Sequence, residues 1–530
     1  MKKKHLNVIG KNKNMKKISK ISLLTTLISL VIVIPPSPKV IATPSELTTN
    51  IKAQTKPTES NESDVLSLIK QGLAKAKKGD YKGAIALYNQ ALKINSQNLE
   101  VYYYRGDAYY QLGDKKAAIN DLTEILKVNQ QDYITYVYRG LIRAELKDYQ
   151  GALADYDQAI KIKPEYFLIY YNRGVLYEDR EEYDQAIKDY TQAIKLNPKY
   201  ESAYNNRGNI RYYLKNYQGA IEDYQQVIKI NPNYAVAYYN IGLVKYELQN
   251  YKGAIVSFNE ALKTKGEWTN KSPLDVYIAR GNAYRRMKDY KNAIADYNQA
   301  IKIDKKSFLA YFNLGFIAYE QNRDKDAINY YNQAIAISPE DPLSYYNRGL
   351  ANYDLQNYDQ ALADYSKTIE LKPDYANAYF ERGILRYAMK DYVAAITDYN
   401  QVIKLTPQDK EAYFNRGLSY YRLTQYQKAL DDYNQAIKLD AKYTSAYFQR
   451  AFAYYDLQKY QNAIEDYNQT ITLNPNFAEA YYNRGLIHKK QGDNKKALAD
   501  FKKAATLYQQ QKKNDYYKDA LQQINQLQSN

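Results

Sequence analysis

Seven asparagines, Asn172, Asn206, Asn240, Asn313, Asn347, Asn415 and Asn483, recur along the chain at steps of 34 or 68 residues apart from one step of 73. An asparagine amide carries one acceptor and two donors, so a row of them can pair with successive backbone groups of an extended peptide without reading its side chains. Each such bond is worth only about 0.5–1.5 kcal/mol net, so recognition of this kind needs many units acting together. Aromatic residues accompany the row: Tyr171, Tyr239 and Tyr346 one residue before an asparagine, Tyr212, Tyr246 and Tyr353 six residues after one. Bond-making chemistry has much less to work with. The sequence holds no cysteine and two histidines, His5 and His488. Ser-His-Asp and Cys-His arrangements would need His488, which has no nucleophile motif beside it, and His/Cys zinc sites are impossible. No phosphate-binding or dinucleotide-binding glycine loop appears, and the acids follow a regular spacing rather than forming a glycosidase pair. These features predict a non-catalytic protein with no metal and no cofactor.

The elements that must hold the row are set by glycine. Gly72, Gly106, Gly140, Gly174, Gly208 and Gly242 are each 34 residues apart, and after one step of 39 the spacing resumes from Gly281 to Gly485, with Ala451 standing in once. A sustained period of this length means a solenoid of stacked helical hairpins, which offers a long surface and no enclosed pocket. With glycine at position 8, thirteen units begin at residues 65, 99, 133, 167, 201, 235, 274, 308, 342, 376, 410, 444 and 478. Position 4 is Tyr in twelve of them, position 20 is Ala in all thirteen, and position 24 is aromatic in twelve. Small residues at 8 and 20 let two helices approach closely, large aromatics fill the space beside them, and a proline at position 32 in seven units ends the second helix. Position 7 is Arg in ten units and position 23 is Asp in the same ten. Positions 7 and 23 are equidistant from the turn near 15, so pairs such as Arg173 with Asp189 and Arg207 with Asp223 are expected to bridge each hairpin bidentately.

This pattern, aromatic at 4, Gly at 8, Ala at 20, aromatic at 24 and Pro at 32, resembles the tetratricopeptide repeat over residues 65–511. The chain departs from the family in carrying Tyr for the usual Trp at 4 and Arg for the usual Leu at 7. The resemblance implies an all-α, right-handed α-solenoid superhelix of thirteen 34-residue hairpins, with first helices lining a concave groove that positions 2, 5, 6, 9, 12 and 13 face. The asparagines fall at position 6, and the row is similar to the asparagine ladder in the repeats of O-linked N-acetylglucosamine transferase, where it holds substrate peptides. Here Ala279, Glu381 and Gln449 interrupt it, and no transferase domain follows. Position 5 is never Lys, so the family's carboxylate clamp for chaperone C-termini is absent.

The flanks read differently. Residues 1–42 carry nine lysines and no acid, with an apolar run from Ile21 to Ile34 ended by Pro35-Pro36. At 14 residues the run falls short of the roughly 20 that span a bilayer, so it reads as a secretory signal, or else as an uncleaved anchor. Either reading predicts an exported chain, periplasmic or extracellular, that meets a membrane only through this segment. Without the leader the formal charge of +17 falls to +8 and shows no basic block, which argues against nucleic acid. Residues 43–64 read as a disordered linker. Repeats 1–6 occupy 65–273 with an insertion at 264–273 that holds the sole tryptophan, Trp268; repeats 7–13 occupy 274–511; and Tyr517, Leu521, Ile524 and Leu527 mark a capping helix within 512–530. The expected function is a protein-interaction scaffold for extended peptide segments, the alternative a glycan-binding or structural scaffold of the cell envelope in which the position-12 tyrosines stack on sugar rings.

Overall fold

The computed structural model describes residues 62–528 apart from Lys265, Glu267, Thr269 and Asn270. The expected signal segment and most of the expected linker lie outside the described residues; Glu62–Asp64 belong to the first helix. Among the described residues there are 27 α-helices and no strand, arranged as consecutive antiparallel pairs, from α1 (Glu62–Lys77) with α2 (Tyr81–Ile94) to α25 (Ala478–Lys490) with α26 (Asn494–Gln510). They form two units. One holds repeats 1–7 and ends at Ile303; the other starts at Asp304 and holds repeats 8–13 with a last helix, α27 (Asn514–Gln528). That last helix buries Ala520 and Ile524, whereas Leu521, expected on its inner face, is exposed.

Each hairpin is made by the same local devices. The residue at position 15 is left-handed in every repeat: Gly79, Gly113 and Gly492 in three, and side-chain-bearing residues such as Lys147 and Gln356 in the other ten. This closes the first helix with paired backbone bonds, Asp148 N donating to Arg143 O at 2.9 Å and Lys147 N to Ala144 O at 3.0 Å in repeat 3. In eight repeats the side chain of the next residue, Asp or Asn, caps the second helix, as where the Asp148 carboxylate accepts from the Gly151 amide at 3.0 Å. Between the helices the glycine at position 8 faces the aromatic at 24. A Cβ on Gly349 would sit 2.8 Å from the Tyr365 ring, closer than carbon atoms approach.

Arginine at position 7 ties the layers together. In all ten repeats that carry it, the guanidinium donates two bonds to the position-23 aspartate, as Arg416 does to Asp432 at 2.9 and 2.6 Å. Its remaining nitrogen reaches back to position 25 of the preceding repeat: Arg105 to Asn89 at 2.6 Å, Arg207 to Thr191 at 2.9 Å, Arg416 to Asn400 at 2.7 Å, and Arg484 to Asn468. The same group lies over the position-4 tyrosine of its own repeat, 5.5 Å from the ring centroid in the case of Arg416 and Tyr413. Arg173 with Asp189 and Arg207 with Asp223 follow this geometry. Repeats 3, 5 and 10 add a second arginine from position 11, so Asp223 also receives Arg211 at 2.9 Å. Repeat 6, lacking both members of the pair, substitutes Lys245 donating to Ser257 at 2.9 Å. Burial raises the Asp189 carboxyl and the Arg173 bonds oppose that shift, with the balance above the ordinary carboxylate value. Desolvation therefore offsets much of the pair's attraction.

Trp268, in the insertion, packs against the cluster of Tyr239, Leu243, Phe258 and Val276, plugging the seam between repeats 6 and 7.

Breaking one pair is expected to cost far more than removing it. Because Asp223 holds two arginines, the clean test is repeat 11: Asp432→Ala should destabilise that region by about 3–5 kcal/mol, whereas Arg416→Leu with Asp432→Leu should cost much less. Amide hydrogen exchange across α21 (Lys410–Arg422) and α22 (Tyr426–Leu439) reads the difference, and equal losses would contradict it.

Candidate functional site

Position 6 falls midway along each first helix. In the C-terminal unit its occupants are Asn313, Asn347, Glu381, Asn415, Gln449 and Asn483, six consecutive repeats with an amide or carboxyl side chain. The four asparagines share one geometry. Each Nδ2 donates to the carbonyl four residues earlier at 2.8 Å: Leu309, Leu343, Glu411 and Glu479. That bond fixes the amide with its oxygen free of any protein donor among the described residues. The Gln449 Oε1 is likewise buried without a partner. Asn415 is half-buried and the other three are buried.

The N-terminal unit uses the same position otherwise. Asn206 Nδ2 donates to the hydroxyls of Tyr171 at 3.2 Å and Tyr190 at 3.5 Å, and Asn240 Nδ2 to Asn209 Oδ1 at 3.4 Å. Asn172 is buried as well. Here the row is knitted into the seams between repeats.

The aromatic candidates separate from the asparagines. Tyr171, Tyr239 and Tyr346 are buried, with Tyr171 set edge-on against Tyr200 and Tyr346 against Tyr375; they are core residues that offer no ring face to a ligand. The position-12 tyrosines are mostly half-buried, and each of Tyr212, Tyr246 and Tyr353 packs on the tyrosine five residues later. Several spend the hydroxyl on position 13 of the next repeat: Tyr110 donates to Glu145 at 2.9 Å, Tyr421 to Asp456 at 2.6 Å, and Tyr246 accepts from Arg286 at 3.3 Å. These contacts make position 12 a seam between repeats, a role that counting tyrosines does not reveal because the partner at 13 is Glu, Asp or Arg by turns.

Glu381 is the row's exception. Other buried carboxylates have a partner: the position-23 aspartates have arginine, Asp132 caps its helix, Glu178 takes the Tyr190 hydroxyl, and Glu479 takes Lys513 at 2.6 Å. Glu381 is 8 % exposed and meets no cation or hydrogen-bond donor among the described residues. Burial, with the Asp354 carboxylate adding to it, pushes Glu381 up to about 7. Tyr353, Tyr365 and Tyr399 are the hydroxyls that feel its charge, and burial raises all three. The sequence signal was visible: Glu381 is the one acid at position 6.

Among the described residues no group of three or more histidine, aspartate and glutamate side chains is placed to hold a metal ion, and no helix is long and apolar enough to cross a membrane.

Family models described as tetratricopeptide or TPR repeats match the chain at residues 72–113, 140–180, 208–249, 281–322, 317–356, 385–424 and 453–492, at 99–132 and 410–443, at 167–200, 342–375 and 478–511, and at 235–267. No curated protein matches. Among solved structures, MamA is 26% identical, covering 31% of this chain and 96% of its own at a TM-score of 0.30. The C-terminal part of a TPR repeat-containing protein from Cytophaga hutchinsonii is 22% identical, covering 45% and 96% at 0.40. YrrB, described as a TPR protein with an unusual peptide-binding site, is 23% identical, covering 36% and 95% at 0.30.

Because the folded state raises the Glu381 pKa above its ordinary 4.5, folding favours the protonated form, and the chain loses stability as pH rises from about 4.5 through about 7. Glu381→Gln should match the parent at pH 4 and exceed it at pH 8 by about 3 kcal/mol in its own repeat. Urea midpoints at the two pH values check this; a variant no more stable at pH 8 would contradict it.

Proposed function

Because the chain belongs to the tetratricopeptide repeat family, its class is a protein–protein interaction scaffold, and we propose that it holds an extended polypeptide segment along the first helices of repeats 8–13. The observation that carries this reading is the set of four position-6 asparagines, Asn313, Asn347, Asn415 and Asn483, each oriented by a bond to its own helix with its oxygen left without a protein donor among the described residues. An extended peptide supplies the complementary group, a backbone N–H, whatever its sequence. Recognition through main-chain bonds is individually weak and gains from repetition, which suits an array. Asn206 and Asn240 are tied into inter-repeat seams and Asn172 is buried, so these three contribute less than Asn313, Asn347, Asn415 and Asn483. The matched models indicate no enzyme. The lysine-rich leader and its 14-residue apolar run support an exported location for this activity.

A displayed library of random 12-residue peptides tests the proposal. The full chain is expected to enrich peptides that a variant with Asn313, Asn347, Asn415 and Asn483 changed to Ala no longer retains, at an unaltered melting temperature. Equal enrichment by both would contradict it. The same four-fold change should weaken retained peptides at least tenfold more than changing Asn172, Asn206 and Asn240 to Ala, measured by fluorescence anisotropy.

A further inference from the structure

We propose that Tyr183 and Tyr213 are an oxidative cross-linking site, where a peroxide, acting in one-electron steps, joins the two rings as dityrosine and fastens repeat 4 to repeat 5. Position 13 is charged in ten repeats, and Tyr213 is the one aromatic residue there. In several of those repeats the charged residue meets the position-12 tyrosine of the preceding repeat, as Glu145 meets Tyr110 and Asp456 meets Tyr421. Repeat 4 carries Glu178 at position 12 instead, and that carboxylate accepts from Tyr190. Tyr213 lies against a different neighbour, Tyr183 at position 17 of repeat 4. Their ring centroids are 5.0 Å apart at an interplanar angle of 52°. Tyr183 opens α8 (Tyr183–Leu196) and Tyr213 ends α9 (Glu201–Tyr213), so the pair spans the seam between two hairpins.

Access favours this pair. Tyr213 is 55 % exposed, and the only other exposed tyrosine among the described residues is Tyr358 at 37 %. The sequence has no cysteine thiolate to intercept an oxidant. In the reaction each phenol gives up its O–H hydrogen atom. The two radicals couple through ring carbons ortho to oxygen, and the hydrogens on those carbons move to the oxygens. One peroxide molecule takes up the two hydrogen atoms and is reduced to two waters. Rings already in contact couple with each other before either meets another chain, because holding two reactants together removes the entropy cost of their encounter. Other touching pairs, such as Tyr246 with Tyr251 and Tyr387 with Tyr392 at 5.3 Å each, are half-buried and lie five residues apart within one hairpin. The bond between Tyr183 and Tyr213 instead joins neighbouring units, and contacts between neighbours hold a repeat array together. Oxidation thus closes a seam that local unfolding would otherwise open.

The full chain, kept dilute, is treated with a haem peroxidase and limiting hydrogen peroxide, then digested and mapped by mass spectrometry beside its dityrosine fluorescence. The expected main product is a single chain in which the peptides holding Tyr183 and Tyr213 are linked with the loss of two hydrogens. Tyr213→Phe and Tyr183→Phe, which keep ring and volume, should each lower intramolecular dityrosine at least tenfold, and Tyr358→Phe should leave it unchanged. Amide hydrogen exchange across α8 and α9 should slow at least tenfold in the oxidised parent and not in oxidised Tyr213→Phe. Cross-links spread over other tyrosines or formed between chains, or an unchanged yield in Tyr213→Phe, overturn the site. The bond formed at Tyr183 and Tyr213 with exchange unaltered overturns the fastening of the seam.

Discussion

The interaction on which most of this array depends is one guanidinium in each of ten of the thirteen repeats. The position-7 arginine clamps the two helices of its own hairpin through the position-23 aspartate and, with its remaining nitrogen, holds the second helix of the hairpin before it. A bidentate pair alone would stabilise each hairpin in isolation; the third bond joins one unit to the next, and in a repeat protein those nearest-neighbour terms decide whether the array behaves as one body. The tyrosine beneath the guanidinium completes an enclosure in which the arginine is partly desolvated and its donors are used. Lysine could not replace it, having neither the planar fork nor the ring-stacking face.

With cohesion assigned to positions 4, 7, 23 and 25, other positions are free to differ, and position 6 shows how. In repeats 5 and 6 it joins the cohesive network through Tyr171, Tyr190 and Asn209. In repeats 8, 9, 11 and 13 it turns inward to its own helix and leaves an oxygen without a protein donor. Within that second row a single acid, Glu381, is held buried without a counter-charge. A fold that supplies an arginine to ten aspartates at position 23 supplies none to Glu381 at position 6.

Much of this was legible from residues alone, and the reasons for the rest are physical. The period, the small residues at 8 and 20 and the aromatics at 4 and 24 are constraints that every unit must satisfy, so they repeat and announce themselves. The Arg and Asp register was visible because both members vanish together in repeats 1, 6 and 8. The third arginine bond was hidden: its acceptor is Asn, Thr, Asp or Ser, and it lies in a different unit from the donor. The seam from Tyr421 to Asp456 hides for the same reason. Tyr171 and Tyr346 could not be told from surface aromatics by spacing, since the same face of a first helix meets both the groove and the neighbouring hairpin. Leu521 fits a helical stripe, yet the last helix is rotated so that the smaller Ala520 meets the repeat beneath it.

In the proposed complex the position-6 asparagine oxygens of repeats 8, 9, 11 and 13 accept from a polypeptide backbone. A crystal structure of the full chain with a library-selected 12-residue peptide tests it most directly. Peptide amide nitrogens are expected within about 3 Å of the side-chain oxygens of Asn347 and Asn415, the peptide running along the first helices. A peptide seated on the second helices, with those oxygens bonded only to water, would contradict it.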